Sequence, residues 1–184
     1  MFRRFRRPGL VRAGISPAQL EVLSNANRLN AQGRFLEAAG MFAGLAQEMQ
    51  VSGHPRREAN LRAQAAHAYA DGKDAAQSQA QARAALNLFL QYGMAERTPR
   101  FYANITHKQR GYGMAAAADT LEKEFGERIG RLPSPPPTAQ VAARGRLPAA
   151  CPGCGAPVRS DEVSWVDPHS AECSFCGSIL QTTT

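Results

Sequence analysis

The chain is 184 residues long, with a net charge of +7, 43% hydrophobic residues and four cysteines. No apolar run reaches the roughly 18 residues that a membrane-spanning helix requires, and residues 1–14 lack the apolar stretch of a secretory signal. These features argue against a membrane or secreted protein, and we predict a cytoplasmic one. The heavy use of Ala, Gly and Arg is typical of a GC-rich bacterial gene.

Positive charge is concentrated at the start of the chain. Residues 1–12 carry five arginines and no acidic residue, whereas residues 13–130 hold 13 basic and 11 acidic residues. We predict that residues 1–14 form a disordered basic arm. Such arms contact anionic membrane surfaces, nucleic acid or acidic protein patches, here through Arg3, Arg4, Arg6 and Arg7. The alternative is a solvated segment with no binding role.

Helical structure is predicted from residue 15 onward. Ser16 is an expected N-cap, with Pro17 at the first helical position and Gln19 three residues after the cap, which forms a capping box. Turns that contain glycine or proline divide the chain up to about residue 130 into six helices, near 17–31, 34–50, 55–70, 74–92, 99–110 and 113–129. Thr98 is predicted to cap the fifth helix.

Internal repetition appears when residues 40 apart are compared, as with Ala38, Ser78 and Ala118. Pairs of antiparallel helices cannot bury their apolar faces alone, so such pairs stack. The first pair resembles a tetratricopeptide repeat, in the residues Ala26, Leu29, Gly33, Phe35, Ala38, Phe42 and Ala46.

The tetratricopeptide resemblance covers residues 15–130 and implies an all-α helix-hairpin solenoid of about six helices, with a groove that binds proteins. Three features depart from the family. The period is 40 residues where the family has about 34, Lys73 replaces the turn glycine of the second pair, and Thr106 and Gln109 miss the pattern in the third. A generic bundle of three helical hairpins is the alternative.

Catalytic patterns do not emerge from the sequence. The four histidines, His54, His67, His107 and His169, fall one per predicted element, and no H-E-x-x-H, Walker A, G-x-G-x-x-G or G-x-S-x-G pattern occurs. His67 is expected on a helix surface, Asp71 and Asp74 in a turn and cap, and Arg56 and Arg57 at a solvated helix end. We therefore predict no catalytic residue, no organic cofactor and no enzymatic activity.

Residues 131–150 form a predicted Pro-rich flexible linker. The segment 133–137, Pro-Ser-Pro-Pro-Pro, favours polyproline II, a semi-rigid spacer. Such a spacer is expected to uncouple the domains on either side. Loss of the C-terminal domain would then leave the helices intact.

All four cysteines lie in the predicted C-terminal domain, residues 151–184. They form two C-x-x-C-G segments with 18 residues between Cys154 and Cys173, which is the spacing of a metal site. Each C-x-x-C turn places two sulfurs on one side of a tight loop, and the following glycine lets the backbone curl beneath the metal. We predict one structural Zn²⁺ in a closed tetrahedral site, bound by Cys151, Cys154, Cys173 and Cys176.

Other chemistry for the same cysteines stays open, namely a redox dithiol, a pair of disulfides or a rubredoxin-like iron site. His169 could replace one cysteine ligand, but four cysteines at good spacing make a solvated loop residue the simpler interpretation. Between the cysteine pairs only Val158, Val163, Trp165 and Val166 are large and apolar. The metal is therefore expected to stand in for a core.

The two C-x-x-C-G segments, with the strand-like run 162–166 between them, resemble the zinc-ribbon family. The resemblance implies a small β fold around zinc. Zinc ribbons serve nucleic-acid binding, protein docking and structural roles, so the resemblance does not select a function.

Two functions are compatible with these features. The first is a non-catalytic adaptor or scaffold, in which the helical groove and the ribbon bind protein partners. The second is a nucleic-acid-associated protein that uses the Arg-rich arm and the basic linker. The predicted C-terminal domain, residues 151–184, argues against the nucleic-acid function, because it has one arginine against four acidic residues and phosphate binding depends on Lys and Arg.

Overall fold

The computed structural model describes residues 15–95, 97–132, 145–160 and 163–183. These ranges contain six helices and a three-stranded antiparallel sheet in the order β1-β2-β3; the sequence predicts six helices and a small β fold, without the number or order of the strands. The helices are α1 (Pro17–Ala31), α2 (Phe35–Val51), α3 (Pro55–Asp71), α4 (Ala75–Gln91), α5 (Arg97–Gly111) and α6 (Ala115–Gly130), and the strands are β1 (Ser164–Asp167), β2 (Ser170–Glu172) and β3 (Ile179–Gln181).

Two predicted segments fall largely outside the described residues. They are the basic arm, residues 1–14, and the part of the linker that contains the proline run. Within the described ranges, no helix has both the length and the apolarity needed to cross a membrane.

The start of α1 has the predicted capping box. Ser16 Oγ accepts from the backbone N–H of Gln19 at 3.2 Å, and Gln19 Oε1 accepts from the N–H of Ser16 at 2.9 Å. The two bonds satisfy donors that a helix N-terminus otherwise leaves free. The predicted cap at Thr98 is wrong, because α5 already includes Arg97 and the Thr98 hydroxyl donates back to the carbonyl of Met94.

The five turns between the helices share one geometry and recur every 20 residues. Each has a residue with positive φ, between 62° and 80°, at position 33, 53, 73, 93 or 113. In each turn the next N–H bonds to the carbonyl five residues earlier, at 2.8–3.0 Å, the Schellman pattern of helix ends. Four of these residues are glycines and the fifth is Lys73. Helix pairs therefore repeat with the 40-residue spacing seen in the sequence.

The helix α3 lies at the centre of the body and contributes to two buried clusters. Leu61, Ala65 and Ala68 pack with α1 and α2, while Ala59 and Ala66 pack with α4, α5 and α6. Alanines on both faces allow this close approach. The second and third helix pairs stack in two layers, with α3 against α5 and α4 against α6.

Buried polar side chains explain where the third helix pair departs from the repeat pattern. Ser78 is fully buried at the position of Ala38 and Ala118, and its hydroxyl donates to the carbonyl of Ala66 at 3.1 Å. Gln109 is fully buried at the position that Leu29 and Tyr69 hold in the earlier pairs, and its Nε2 donates to Ser78 Oγ at 3.0 Å. The departure at Gln109 thus places a hydrogen-bonded polar pair inside the core, in which Gln109 Oε1 has no partner among the described residues.

Candidate metal centre

The two cysteine segments form turns of the same geometry, which we call the knuckles, residues 151–156 and 173–178. In the first, the N–H of Gly155 bonds to the carbonyl of Cys151 at 2.8 Å; in the second, Gly177 bonds to Cys173 at 2.9 Å. The two glycines have φ of +71° and +77°, a left-handed conformation that a side chain disfavours. Glycine after the second cysteine therefore has the predicted role of turning the backbone under the sulfurs.

The four cysteine sulfurs meet in one buried cluster. All four lie within 4.8 Å of one another, with 3.6 Å between Cys151 and Cys176 and 3.9 Å between Cys154 and Cys173. Four sulfurs in a regular tetrahedron at roughly 2.3 Å from zinc lie about 3.8 Å apart. The geometry is compatible with a Zn²⁺ ion. The four thiols are free rather than joined in disulfides, and among the described residues no other group of three or more His, Cys, Asp or Glu comes this close together.

The closely spaced thiols shift one another's pKa values in opposite directions. The hydrogen bonds from Cys154 and Cys173 hold the pKa of the Cys176 thiol far below its usual range. The pKa of Cys154 is raised well above the usual range, first by its hydrogen bonds to Cys173 and Cys176 and then by burial. Four sulfurs this close ionise together only beside a compensating charge. A divalent cation supplies that charge, and metal binding would release protons.

The small sheet and the loops around it frame the knuckles, and we call residues 145–183 the ribbon. Strand β1 pairs with β2 and β2 with β3, both antiparallel, and the second knuckle connects β2 to β3. A further pairing joins Arg146 to Thr183, close to the two ends of the ribbon. His169 lies exposed in the β1–β2 turn, outside the sulfur cluster, in agreement with a loop residue.

Each knuckle is held by a side-chain amide from the helical body. Asn27 Nδ2 on α1 donates to the backbone carbonyl of Cys154 at 3.0 Å, and Asn60 Nδ2 on α3 donates to that of Ser174 at 2.7 Å. Arg57 on α3 also reaches the ribbon, since a Cβ added to Gly177 would lie 2.6 Å from its Nη2. The prediction that Arg57 is a solvated helix-end residue is therefore wrong.

The ribbon and the helical body share one buried cluster. The four cysteines, Ala156, Phe175 and Leu180 of the ribbon belong to the same cluster as Leu23, Phe42 and Leu61 of the helices. The expected independence of the two parts does not hold for the described residues. The sequence also predicts that the ribbon has too few apolar residues for a core of its own. In the structure the helices supply part of the apolar surface that it lacks.

His67, like Arg57, lies in a different environment from the one that the sequence predicts. Its ring packs edge-on against Phe101, with centroids 5.3 Å apart, and its Nδ1 is buried without a hydrogen-bond partner among the described residues. Burial, followed by the charge of Lys108, lowers the pKa of His67 to about 4. His67 as a whole is half-buried, but its ring packs between α3 and α5, so it is not the solvated helix-surface residue that the sequence predicts.

Asp71 and Asp74 have separate roles. Asp71 Oδ1 lies 2.7 Å from Lys108 Nζ, an ion pair that links α3 to α5. Asp74 Oδ1 accepts from the N–H of Gln77 at 2.9 Å and caps α4. The cap at Asp74 is as predicted, while Asp71 connects two helices and does not cap one.

Sequence reasoning missed three polar helical residues that contact the ribbon, Asn27, Arg57 and Asn60. No local pattern could reveal them, because Asn27 and Cys154 are 127 residues apart and each is unremarkable in its own segment.

Comparison with known proteins finds no protein-family model, no curated protein and no solved structure that matches the chain. The site is therefore interpreted from its own geometry.

Proposed function

We propose that Cys151, Cys154, Cys173 and Cys176 bind one Zn²⁺ as four thiolates and that the ion has a structural role. The supporting observation is the closed arrangement of the sulfurs, all buried and all within 4.8 Å of one another. A zinc with four cysteine ligands has no open position for a substrate or water, unlike a catalytic zinc with three protein ligands. The ion would stabilise the ribbon and supply no chemistry.

We further propose that the protein is a non-catalytic adaptor whose helical body, a tetratricopeptide-like solenoid, binds a protein partner. The turns that recur every 20 residues support a repeat architecture. Stacked helical hairpins characteristically present extended binding surfaces. The ribbon bridges α1 and α3, so the partner would bind other faces of the body or a surface formed jointly with the ribbon.

One side of α1 provides a candidate surface for such a partner. It lines an open depression of about 680 Å³ whose wall combines apolar with polar and charged residues, namely Pro17, Leu20, Glu21, Val22, Ser24, Asn25, Arg28 and Met41. Val22 is 36% exposed there. An apolar patch with a polar rim is the usual composition of a protein interface.

Crosslinking mass spectrometry of the intact chain in native cells tests this function. Deletion of the ribbon would be a poor control, because it strips the cover from the shared core. We expect Val22→Asp to remove specific protein crosslinks, and the same substitution at Val51, which is 85% exposed on α2, to leave them unchanged. Equal crosslinks with all three chains, or none with the intact chain, would contradict the adaptor proposal.

The nucleic-acid proposal makes a separate prediction. If the Arg-rich arm binds phosphates, retention on DNA or RNA should fall steeply with salt and disappear when residues 1–12 are removed. Absence of retention at low salt would end that proposal without affecting the adaptor one.

A further inference from the structure

A side-chain amide of the helical body donates a hydrogen bond to the backbone of each knuckle. Asn27 on α1 donates to the carbonyl of Cys154, itself one of the four cysteines. Asn60 on α3 donates to the carbonyl of Ser174, the residue after Cys173. Neither amide touches a sulfur. Each fixes the backbone of one cysteine pair, and the two amides come from two different helices.

The side-chain amide of Asn60 is buried, and its Nδ2 donates to the carbonyl of Ser174 in the ribbon. The residue is 3% exposed, and its Oδ1 is buried without a partner among the described residues. An unpaired buried acceptor is destabilising, and an apolar residue at this position would avoid that cost. The donation from Nδ2 to Ser174 at 2.7 Å is the interaction that offsets the cost. Asn60 therefore makes its contact with the ribbon from a buried position on α3.

The ribbon also connects two helices, α1 and α3, whose direct packing is slight. Both α1 and α3 pack against α2, and direct packing between α1 and α3 is slight by comparison. The knuckles bridge these two helices through Asn27 on one side and Asn60 and Arg57 on the other. An ion that brings the knuckles together would thus also connect α1 to α3.

We propose that Asn27 and Asn60 are positioning residues of the metal centre: they raise its affinity for zinc by holding the two cysteine pairs in register, and bound zinc in return stabilises α1 and α3. The coupling is reciprocal by thermodynamic linkage. The amount by which the Asn contacts favour zinc binding equals the amount by which bound zinc favours the Asn contacts. The inference rests on the metal-binding part of the proposed function and is independent of the partner.

Zinc affinity of the full, reduced chain tests the first half. Competition against a chromogenic zinc chelator should show that Asn27→Ala and Asn60→Ala each weaken binding, and that the double variant weakens it about 10- to 100-fold, the range for groups that orient metal ligands from outside. Asn25→Ala is the matched control, since Asn25 lies on the same helix but bonds to Met41 Sδ. We expect it to bind zinc like the wild type.

Hydrogen exchange of the wild-type chain tests the second half and needs no variant to fold. Removal of zinc should increase amide exchange in α1 and α3 as well as in the ribbon, and leave α6 unchanged. Affinity within twofold of wild type in the double variant, or exchange that rises only in residues 145–183, would overturn the inference while leaving the zinc site itself in place. A wild-type chain that binds no zinc would overturn both.

Discussion

The side-chain amide of Asn27 on α1 donates a hydrogen bond to the backbone carbonyl of Cys154, 3.0 Å away and 127 residues later in the chain. Through this bond the first helix of the body holds the first cysteine pair of the ribbon. The zinc centre that we propose is therefore a joint product of the two ends of the described chain. Its stability and that of the helices should respond to the same changes.

The contact between Arg57 and the second knuckle can be measured with a pair of glycines. Gly155→Ala and Gly177→Ala both place a side chain at positive φ, which costs on the order of 1 kcal/mol. At Gly177 the new Cβ also lies 2.6 Å from Arg57 Nη2, whereas at Gly155 the nearest atom is 3.9 Å away. We expect Gly177→Ala to lower the melting temperature of the zinc-bound protein more than Gly155→Ala does.

The arginine itself provides the control for that comparison. In an Arg57→Ala background the difference between the two glycine substitutions should shrink, because the conflicting guanidinium is gone and Glu172 Oε1, at 3.4 Å, is the near neighbour that stays. If Gly177→Ala keeps its larger cost there, the excess has a cause other than the contact between α3 and the ribbon.

Lys73 is the residue at which the repeated turn is not optimised. Its φ is +62°, where the four equivalent turns have glycine. A non-glycine residue in this region costs about 1–2 kcal/mol, part of which glycine returns through the greater entropy of the unfolded chain. We expect Lys73→Gly to raise the free energy of unfolding by about 0.5–1 kcal/mol in urea titration.

Gly53→Ala is the reverse substitution in an equivalent turn. No atom lies within 4 Å of the Cβ that it adds, so its expected cost, about 1 kcal/mol, is purely conformational. Destabilisation by Lys73→Gly would contradict the assignment of position 73 to the repeated turn.

The buried pair of Ser78 and Gln109 tests whether the third helix pair is a variant of the first. Ser78→Ala removes the acceptor of Gln109 Nε2, and Gln109 Oε1 already has no partner among the described residues. A buried amide left without partners should cost about 1–3 kcal/mol. Adding Gln109→Leu converts both positions to the residues of the first pair, Ala38 and Leu29, and should recover most of the loss. A double variant that is less stable than Ser78→Ala would count against the equivalence of the pairs.

His67 should make the stability of the helical body depend on pH. Its folded pKa is lowered to about 4 from roughly 6.5 in the unfolded chain. The neutral ring thus contributes its full stability above pH 6.5, and the contribution is lost as the pH falls from 6.5 to 4, because only the unfolded state binds the proton. Lys108 and Arg159 raise the cost of protonating the ring and Asp71 lowers it.

A variant without the imidazole isolates this effect from the carboxylates and thiolates. We expect the stability of wild type relative to His67→Leu to fall by on the order of 2–3 kcal/mol between pH 7 and pH 4.5 in denaturant titrations. A difference that stays constant over this range would show that His67 keeps its ordinary pKa and is solvated after all.

The sequence predicts local features of this protein well and long-range ones poorly. The capping box at Ser16, the turn glycines and the cysteine knuckles are visible because each depends on residues a few positions apart. Lys73 is visible as the residue in the place of a turn glycine because the neighbouring turns all have glycine at this position. Thr98, by contrast, satisfies the composition of a cap but donates to Met94 instead, since the preceding turn leads directly into α5.

The docking of the ribbon on the helices has no local signal. Phe175 and Leu180 look like isolated apolar residues in a segment too small to fold alone, and they are buried in a cluster that includes residues of α1, α2 and α3. The apolar count of the ribbon correctly shows that it needs help, but zinc is not the sole source of that help. The remaining contribution comes from residues more than 100 positions away.

The metal content of the purified protein tests the central claim most directly. Elemental analysis combined with X-ray absorption should find one zinc per chain with four sulfur ligands at roughly 2.3 Å, and Cys154→Ser should lower the zinc affinity strongly. Iron with a red colour would indicate a rubredoxin-like site. A chain without metal, in which no thiol titrates under denaturing conditions, would contradict the account and indicate disulfides.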